Sequence, residues 1–285
     1  MDQKIIDLYD DFTHRSLDRR KFMEQLVLIV GSVAAAEQTV RLLMPDYAHA
    51  AVVAENDPRL QASSFGDAAS GVSGYLVAPK GVKFEEVKNL VIVIHENRGL
   101  NPHIQDVARR VAAEGFVAFA PDFLAPLGGT PADSDEAAKL FAKLDFEAAA
   151  ASLAKFTANM KTALAGRKIG AIGFCWGGAM VNALATKAPG LDAGVAYYGV
   201  APKAEEVARI KAALMLHYGA LDARVNATKE PYEAELKKAG VNYSAFVYEG
   251  ANHAFNNDTS AERYNADAAK LAWSRSMELL RAKLL

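Results

Sequence analysis

From Gly74 to the C-terminus the sequence repeats one pattern: a short apolar run rich in Val, Ile, Phe and Tyr, then a longer segment whose apolar residues recur at helical spacing. The runs are "GYLVAP", "LVIVIHE", "FVAFAP", "IGAIGF", "AGVAYYG", "ALMLHYG" and "SAFVYEG". The segments between and after them predict helices over His103 to Ala113, Ser134 to Leu144, Phe146 to Leu164, Trp176 to Thr186, Lys203 to Ile210, Thr228 to Ala239 and Asn265 to Leu284. Strands that alternate with helices predict an α/β fold: a mainly parallel central sheet flanked by helices on both faces, with the most apolar strands in its middle.

In such sheets ligands bind beyond the carboxyl ends of the strands. Four candidate residues fall there: Glu96 after "LVIVI", Cys175 after "IGAIGF", Asp222 just past "LMLHYG" and His253 just past "AFVYEG". Cys175, the chain's one cysteine, has Gly173 and Gly177 two positions to either side. A strand-to-helix turn with this spacing forces its central residue into a strained conformation and brings chain so close that a Cβ at the flanking positions has no room. The turn presents the thiol at the sheet edge and places the amide of Trp176 at a helix N-terminus, where an anion is favoured. A nucleophile needs a base, and the base a group that fixes its tautomer; His253 and Asp222 supply these in the chain order nucleophile, acid, histidine.

With "GFCWGG", "LDARV", "NHAF" and, upstream, "HENRGL", the chain resembles the dienelactone hydrolases, the cysteine-using branch of the α/β-hydrolase fold, over roughly residues 71 to 285. The resemblance implies Cys175 as nucleophile, His253 as base, Asp222 as its orienting acid, and Glu96 as a carboxylate that contacts the resting thiol. It implies the amides of Trp176 and Asn97 as oxyanion donors. Tyr198 and Phe255 either line the pocket or belong to the core; His95 and His217 read as core residues. The expected activity is hydrolysis of small-molecule carboxylic esters or lactones through a thioester, with no metal and no organic cofactor. A general carboxylesterase or peptidase, and a catalytically silent binding module, are the alternatives.

One departure bears on substrate. The family grips a substrate carboxylate with two arginines, one of them four residues after the histidine, and here that position is Asn257. "PADSDEAAKLF", around the second, offers acids. Arg98 and Arg224 either replace the clamp from other loops or pair with Glu96 and Asp222. The expectation from sequence is that neutral short-chain esters or lactones are turned over at least as well as a carboxylate-bearing dienelactone.

The 32 basic and 34 acidic residues nearly cancel, and no basic cluster interleaves with aromatics, which gives no reason to expect nucleic acid. A single cysteine excludes an intrachain disulfide, and with no nearby cysteine or clustered histidine in the sequence no cysteine-based zinc site is expected. At the N-terminus, residues 1–50 have two readings. "LDRRKFMEQLVLIVGSVAAA" followed by "YAHA" resembles a twin-arginine export signal cut at Ala48-His49-Ala50, which implies a periplasmic or exported protein. Alternatively, Gln3 to Met44 is a retained helical hairpin, packed on the main domain or forming a homo-oligomer contact in a cytoplasmic protein. The apolar run is too short for a membrane anchor. Residues 51–70 read as a linker and 71–285 as the hydrolase domain.

Overall fold

A computed structural model describes residues 1–14, 17–47, 51–83, 86–87 and 89–285. Its centre is an eight-stranded sheet in the order β1-β2-β4-β3-β5-β6-β7-β8, made of β1 (Leu60–Asp67), β2 (Val72–Pro79), β3 (Asn89–Ile94), β4 (Val117–Pro121), β5 (Lys168–Phe174), β6 (Ala193–Tyr197), β7 (Ala213–Gly219) and β8 (Tyr243–Tyr248). From β4 to β8 every pairing is parallel. The hairpin β1–β2 adds the antiparallel edge.

The helices that cover it are α4 (Pro102–Ala113), α5 (Ser134–Phe141), α6 (Phe146–Ala163), α7 (Trp176–Lys187), α8 (Ala223–Asn226), α9 (Lys229–Lys238) and α10 (Ala266–Leu284). Alternate residues of β3 divide between two cores: Leu90, Ile92 and Ile94 face the one under α6 and α7, Val91 and Val93 the one under α4 and α10. That two-sided burial is why this strand is apolar throughout.

The segment expected as a linker contains β1. This strand carries Ser63, Ser64 and Gly66 and is largely exposed, as an edge strand paired on one side only is free to be. The helix expected over Lys203 to Ile210 is a short 3-10 stretch, Ala204–Arg209, without a side-chain cap.

The N-terminal segment forms three helices rather than a hairpin: α1 (Gln3–His14), α2 (Arg19–Val30) and α3 (Val33–Leu43). Gly31, left-handed at φ 86°, ends α2, and the side chain of Ser32 caps α3. Ile5, Ile6, Tyr9, Phe22, Leu26, Ala36 and Leu43 form a small core of their own. The Ala48-His49-Ala50 cleavage site lies outside the described residues. No single helix among the described residues is long and apolar enough to cross a membrane.

Candidate active site

Cys175 stands between β5 and α7 with φ 57° and ψ −114°, a region that costs a residue with a side chain about 1–3 kcal/mol. Its amide donates to the carbonyl of Tyr197 at 3.0 Å and its carbonyl accepts from Ala179 at 3.0 Å, which fix the turn from both sides. The flanking glycines are a steric requirement. A Cβ on Gly173 would lie 2.1 Å from the carbonyl oxygen of Gly177, and one on Gly177 would lie 2.3 Å from that of Ile94. Trp176 opens α7, and its ring packs against His95, Phe123 and Phe141 on one wall of the site.

Asp222 caps α8, accepting from the amide of Val225, and its other oxygen is 2.6 Å from Nδ1 of His253. Both residues are buried. This contact puts the proton of the neutral ring on Nδ1 and turns Nε2 toward Cys175, whose Sγ lies within 4.8 Å. Burial opposes charge on His253, but a Cys175 thiolate and the Asp222 carboxylate outweigh it and push its pKa up to about 10. Burial likewise raises Asp222, and the His253 cation together with two hydrogen bonds brings it below the ordinary carboxylate range. Asp222 and the sulfur of Cys175 therefore both favour the charged ring of His253. In Cys175→Ala one of them is gone, so the His253 ring, followed by nitrogen NMR, should titrate well below the wild-type value; an unchanged titration would show that the thiolate does not face it.

The hydrogen-bond partner of Sγ is a residue the sequence reading missed. His14, at the end of α1, places Nε2 3.0 Å from Sγ, with its ring edge-on to that of His253 at 4.5 Å. Its Nδ1 donates to the carbonyl of Asp10 at 3.0 Å, which leaves a lone pair on Nε2. Burial, then the charges of His253 and Arg224, hold His14 well below the ordinary histidine pKa, so the ring is neutral. The thiol thus has a histidine on either side: His14 accepts its S–H, and a ring nitrogen of His253 lies within 4.8 Å. The remaining contacts of α1 seat it over the site. Asn97 Nδ2 donates to the carbonyl of Thr13, Gln3 donates to Asn252 at 2.6 Å, and Asp10 faces Arg263 at 3.6 Å.

Glu96, expected on the thiol, is occupied elsewhere. Asn257 donates to one of its oxygens at 2.8 Å and the hydroxyl of Tyr198 to the other at 3.4 Å, while His14 holds the position beside sulfur. Tyr198 lines the larger of two cavities at Cys175. Phe255 lines neither; it is fully buried between the rings of Tyr198 and Tyr248, at 5.4 and 5.1 Å, and backs the site as core. His95 and His217 are fully buried, His95 bonded to the carbonyl of Glu96 and His217 to Tyr248 and Ser276.

The larger cavity, open to solvent on one side, offers about 640 Å³ between α1, α5, α7 and the loop after β6, with apolar walls from Phe12, Phe141, Phe146 and Val200. Arg98 and Arg224 also line it. Among the described residues neither guanidinium has a carboxylate within ion-pair distance, so the expected pairs with Glu96 and Asp222 are not formed; Arg224 instead lies 3.5 Å from Nδ1 of His253.

A cysteine on a strained turn, a histidine held by a buried acid and an adjoining open cavity suit acyl transfer, and sequence comparison points the same way. The model of the dienelactone hydrolase family matches residues 72–284. The chain belongs to the dienelactone hydrolase family. A Synechocystis sp. protein named "Putative carboxymethylenebutenolidase" is 34% identical over 239 residues, 75% of this chain and 92% of that one. "Protein usf" of Aquifex pyrophilus is 33% identical over 235 residues, 75% of this chain and 94% of its own. The crystal structure of a "Putative Dienelactone Hydrolase" from Klebsiella pneumoniae superposes with a TM-score of 0.67 at 29% identity, covering 78% of this chain and 98% of that one. The dienelactone hydrolase match begins at β2, so α1 and His14 lie outside it.

Proposed function

We propose that this hydrolase cleaves carboxylic esters or lactones by covalent catalysis at Cys175, with His253 as proton carrier and Asp222 as its orienting acid. The observation that carries this is the juxtaposition of Asp222 Oδ2, 2.6 Å from Nδ1 of His253, with a ring nitrogen of His253 within 4.8 Å of Cys175 Sγ, which lines the cavity. Sγ attacks the acyl carbonyl, and the oxygen that gains charge is met by the amides of Trp176 and Asn97. His253 gives its proton from Nε2 to the leaving oxygen, and a thioester remains. Water attacks that thioester, His253 takes its proton, and the carboxylic acid leaves as Cys175 regains the thiol. For the first step the thiol must turn from His14 to His253. A screen of small esters and lactones with purified protein beside Cys175→Ala tests the reading; turnover that survives in the variant contradicts it.

The cavity also favours a substrate class, and it argues against the expectation of a neutral one. Asn257 is buried on Glu96 and does not line either cavity, whereas Arg98 and Arg224 stand on the larger one with no carboxylate within ion-pair distance among the described residues. A guanidinium that faces an apolar cavity with no ion pair among the described residues favours a carboxylate-bearing ester or lactone. A charge-assisted contact contributes about 1.5–3 kcal/mol, roughly one to two powers of ten in kcat/KM. A carboxylate-bearing dienelactone should therefore exceed its methyl ester by about tenfold or more, and Arg98→Ala or Arg224→Ala should erase the difference. Equal rates on both compounds would return the argument to neutral substrates.

A further inference from the structure

We propose that His14, Cys175 and His253 form a binding site for a soft or borderline divalent cation, zinc above all, and that the ion, once bound, shuts off chemistry at Cys175. The site rests on geometry alone; only its effect on turnover rests on the hydrolase reading.

The three donors come from the end of α1, the turn after β5 and the loop after β8, and one donor atom from each of His14, Cys175 and His253 lies within 4.8 Å of the other two, with Nε2 of His14 on Sγ at 3.0 Å. Around one zinc ion, bonds of about 2.0–2.1 Å to nitrogen and about 2.3 Å to sulfur place such donors roughly 3.3–3.7 Å apart. The 3.0 Å between His14 and Sγ has only to open by a few tenths of an ångström, with His253 drawn inward.

The second argument is orientation. A histidine that ligates through Nε2 almost always gives its Nδ1 proton to a carboxylate or carbonyl, which fixes the tautomer and strengthens the donor. Both histidines here do so: His253 to Asp222 at 2.6 Å and His14 to the carbonyl of Asp10 at 3.0 Å. Nε2 of His253, 2% exposed as a residue, is buried with no hydrogen-bond partner and faces the other two donors. A buried polar atom in that condition costs stability until something occupies it.

The donor set also selects the ion. One thiolate and two imidazoles suit zinc, copper or cobalt and leave magnesium and calcium, which require oxygen ligands, without a donor. Among the described residues no fourth His, Cys or carboxylate joins the group, and the cavity beside it leaves the remaining position to water or a substrate oxygen. Arg224 and Arg263 oppose a cation here, while Asp10, Asp222 and the thiolate favour it. The thiol proton of Cys175 is held toward Nε2 of His14, while Nε2 of His253 has no partner. The ion displaces that proton to solvent and binds Sγ and both Nε2 atoms, so the nucleophile and the proton carrier are engaged at once.

The test uses reduced full-length protein. Cobalt(II) as a spectroscopic probe should give a thiolate-to-metal band at one ion per chain, and zinc titrated by calorimetry should compete for it. His14→Ala and His14→Gln, each checked for folding by thermal melting, should weaken zinc by at least about 100-fold, since losing a ligand costs more than losing its outer partner. Zinc should also inhibit ester turnover, reversibly by chelator, with the same His14 dependence. Absence of the thiolate band, or zinc affinity unchanged in folded His14→Ala and His14→Gln, would overturn the proposal. If the protein hydrolysed no ester at all, the cobalt spectrum would still decide the site, so the two readings fail separately.

Discussion

Cys175→Ala is expected to lower kcat for ester hydrolysis by on the order of 10⁴-fold or more while leaving the fold intact. Alanine meets the same left-handed backbone as cysteine and keeps the carbonyl and amide contacts of the turn, so what is removed is the sulfur alone. Cys175→Ser should also fold and lose most activity. Its hydroxyl holds its proton far more tightly than a thiol, and the anion that His253 is poised to balance does not form. The measurement is steady-state turnover with a soluble ester, with circular dichroism to confirm structure. Wild-type rates in either variant would place the chemistry at another residue.

Gly177→Ala should have the other large effect, on the fold itself. The added Cβ would lie 2.3 Å from the carbonyl oxygen of Ile94 and 2.6 Å from that of His95, both backbone atoms of the chain leaving β3. A flexible side chain could yield, but a central strand held by β4 and β5 cannot without breaking ladder bonds. The expected cost is at least about 3 kcal/mol, at the severe end of single substitutions. Chemical denaturation measures it. The same shift would move Asn97 away from Cys175, so turnover should fall even where the variant remains folded. A variant with wild-type stability and rate would mean the turn is looser than described.

The sheet and the turn were legible because hard constraints write them into sequence. β3 and β5 are apolar along their length because both their faces are covered, and Gly173 and Gly177 are required by contacts under 2.5 Å. Asp222 and His253 were found because each follows its own strand. β1 escaped because an exposed edge strand needs no apolar run, and its register depends on β2. His14 escaped for another reason. Its own helix is readable from Ile5, Ile6 and Tyr9, but nothing local says that the helix end reaches a cysteine 161 positions later. That placement is decided by Asp10, Gln3 and Thr13 against residues of two distant loops, after β3 and after β8. The place of Glu96 beside the thiol came from the family resemblance, and Phe255 stayed open between pocket and core; neither reading tells that Asn257 and Tyr198 would engage the carboxylate or that Phe255 would face inward.

The central claim is that Cys175 carries the acyl group. Rapid acid quench during turnover of a slow ester, followed by intact mass and peptide mapping, tests it most directly. The account predicts a mass increase equal to the acyl group, confined to the peptide containing Cys175, removed by hydroxylamine and absent in Cys175→Ala. An acyl group found on another residue, or turnover that continues in protein fully alkylated at Cys175, would contradict it.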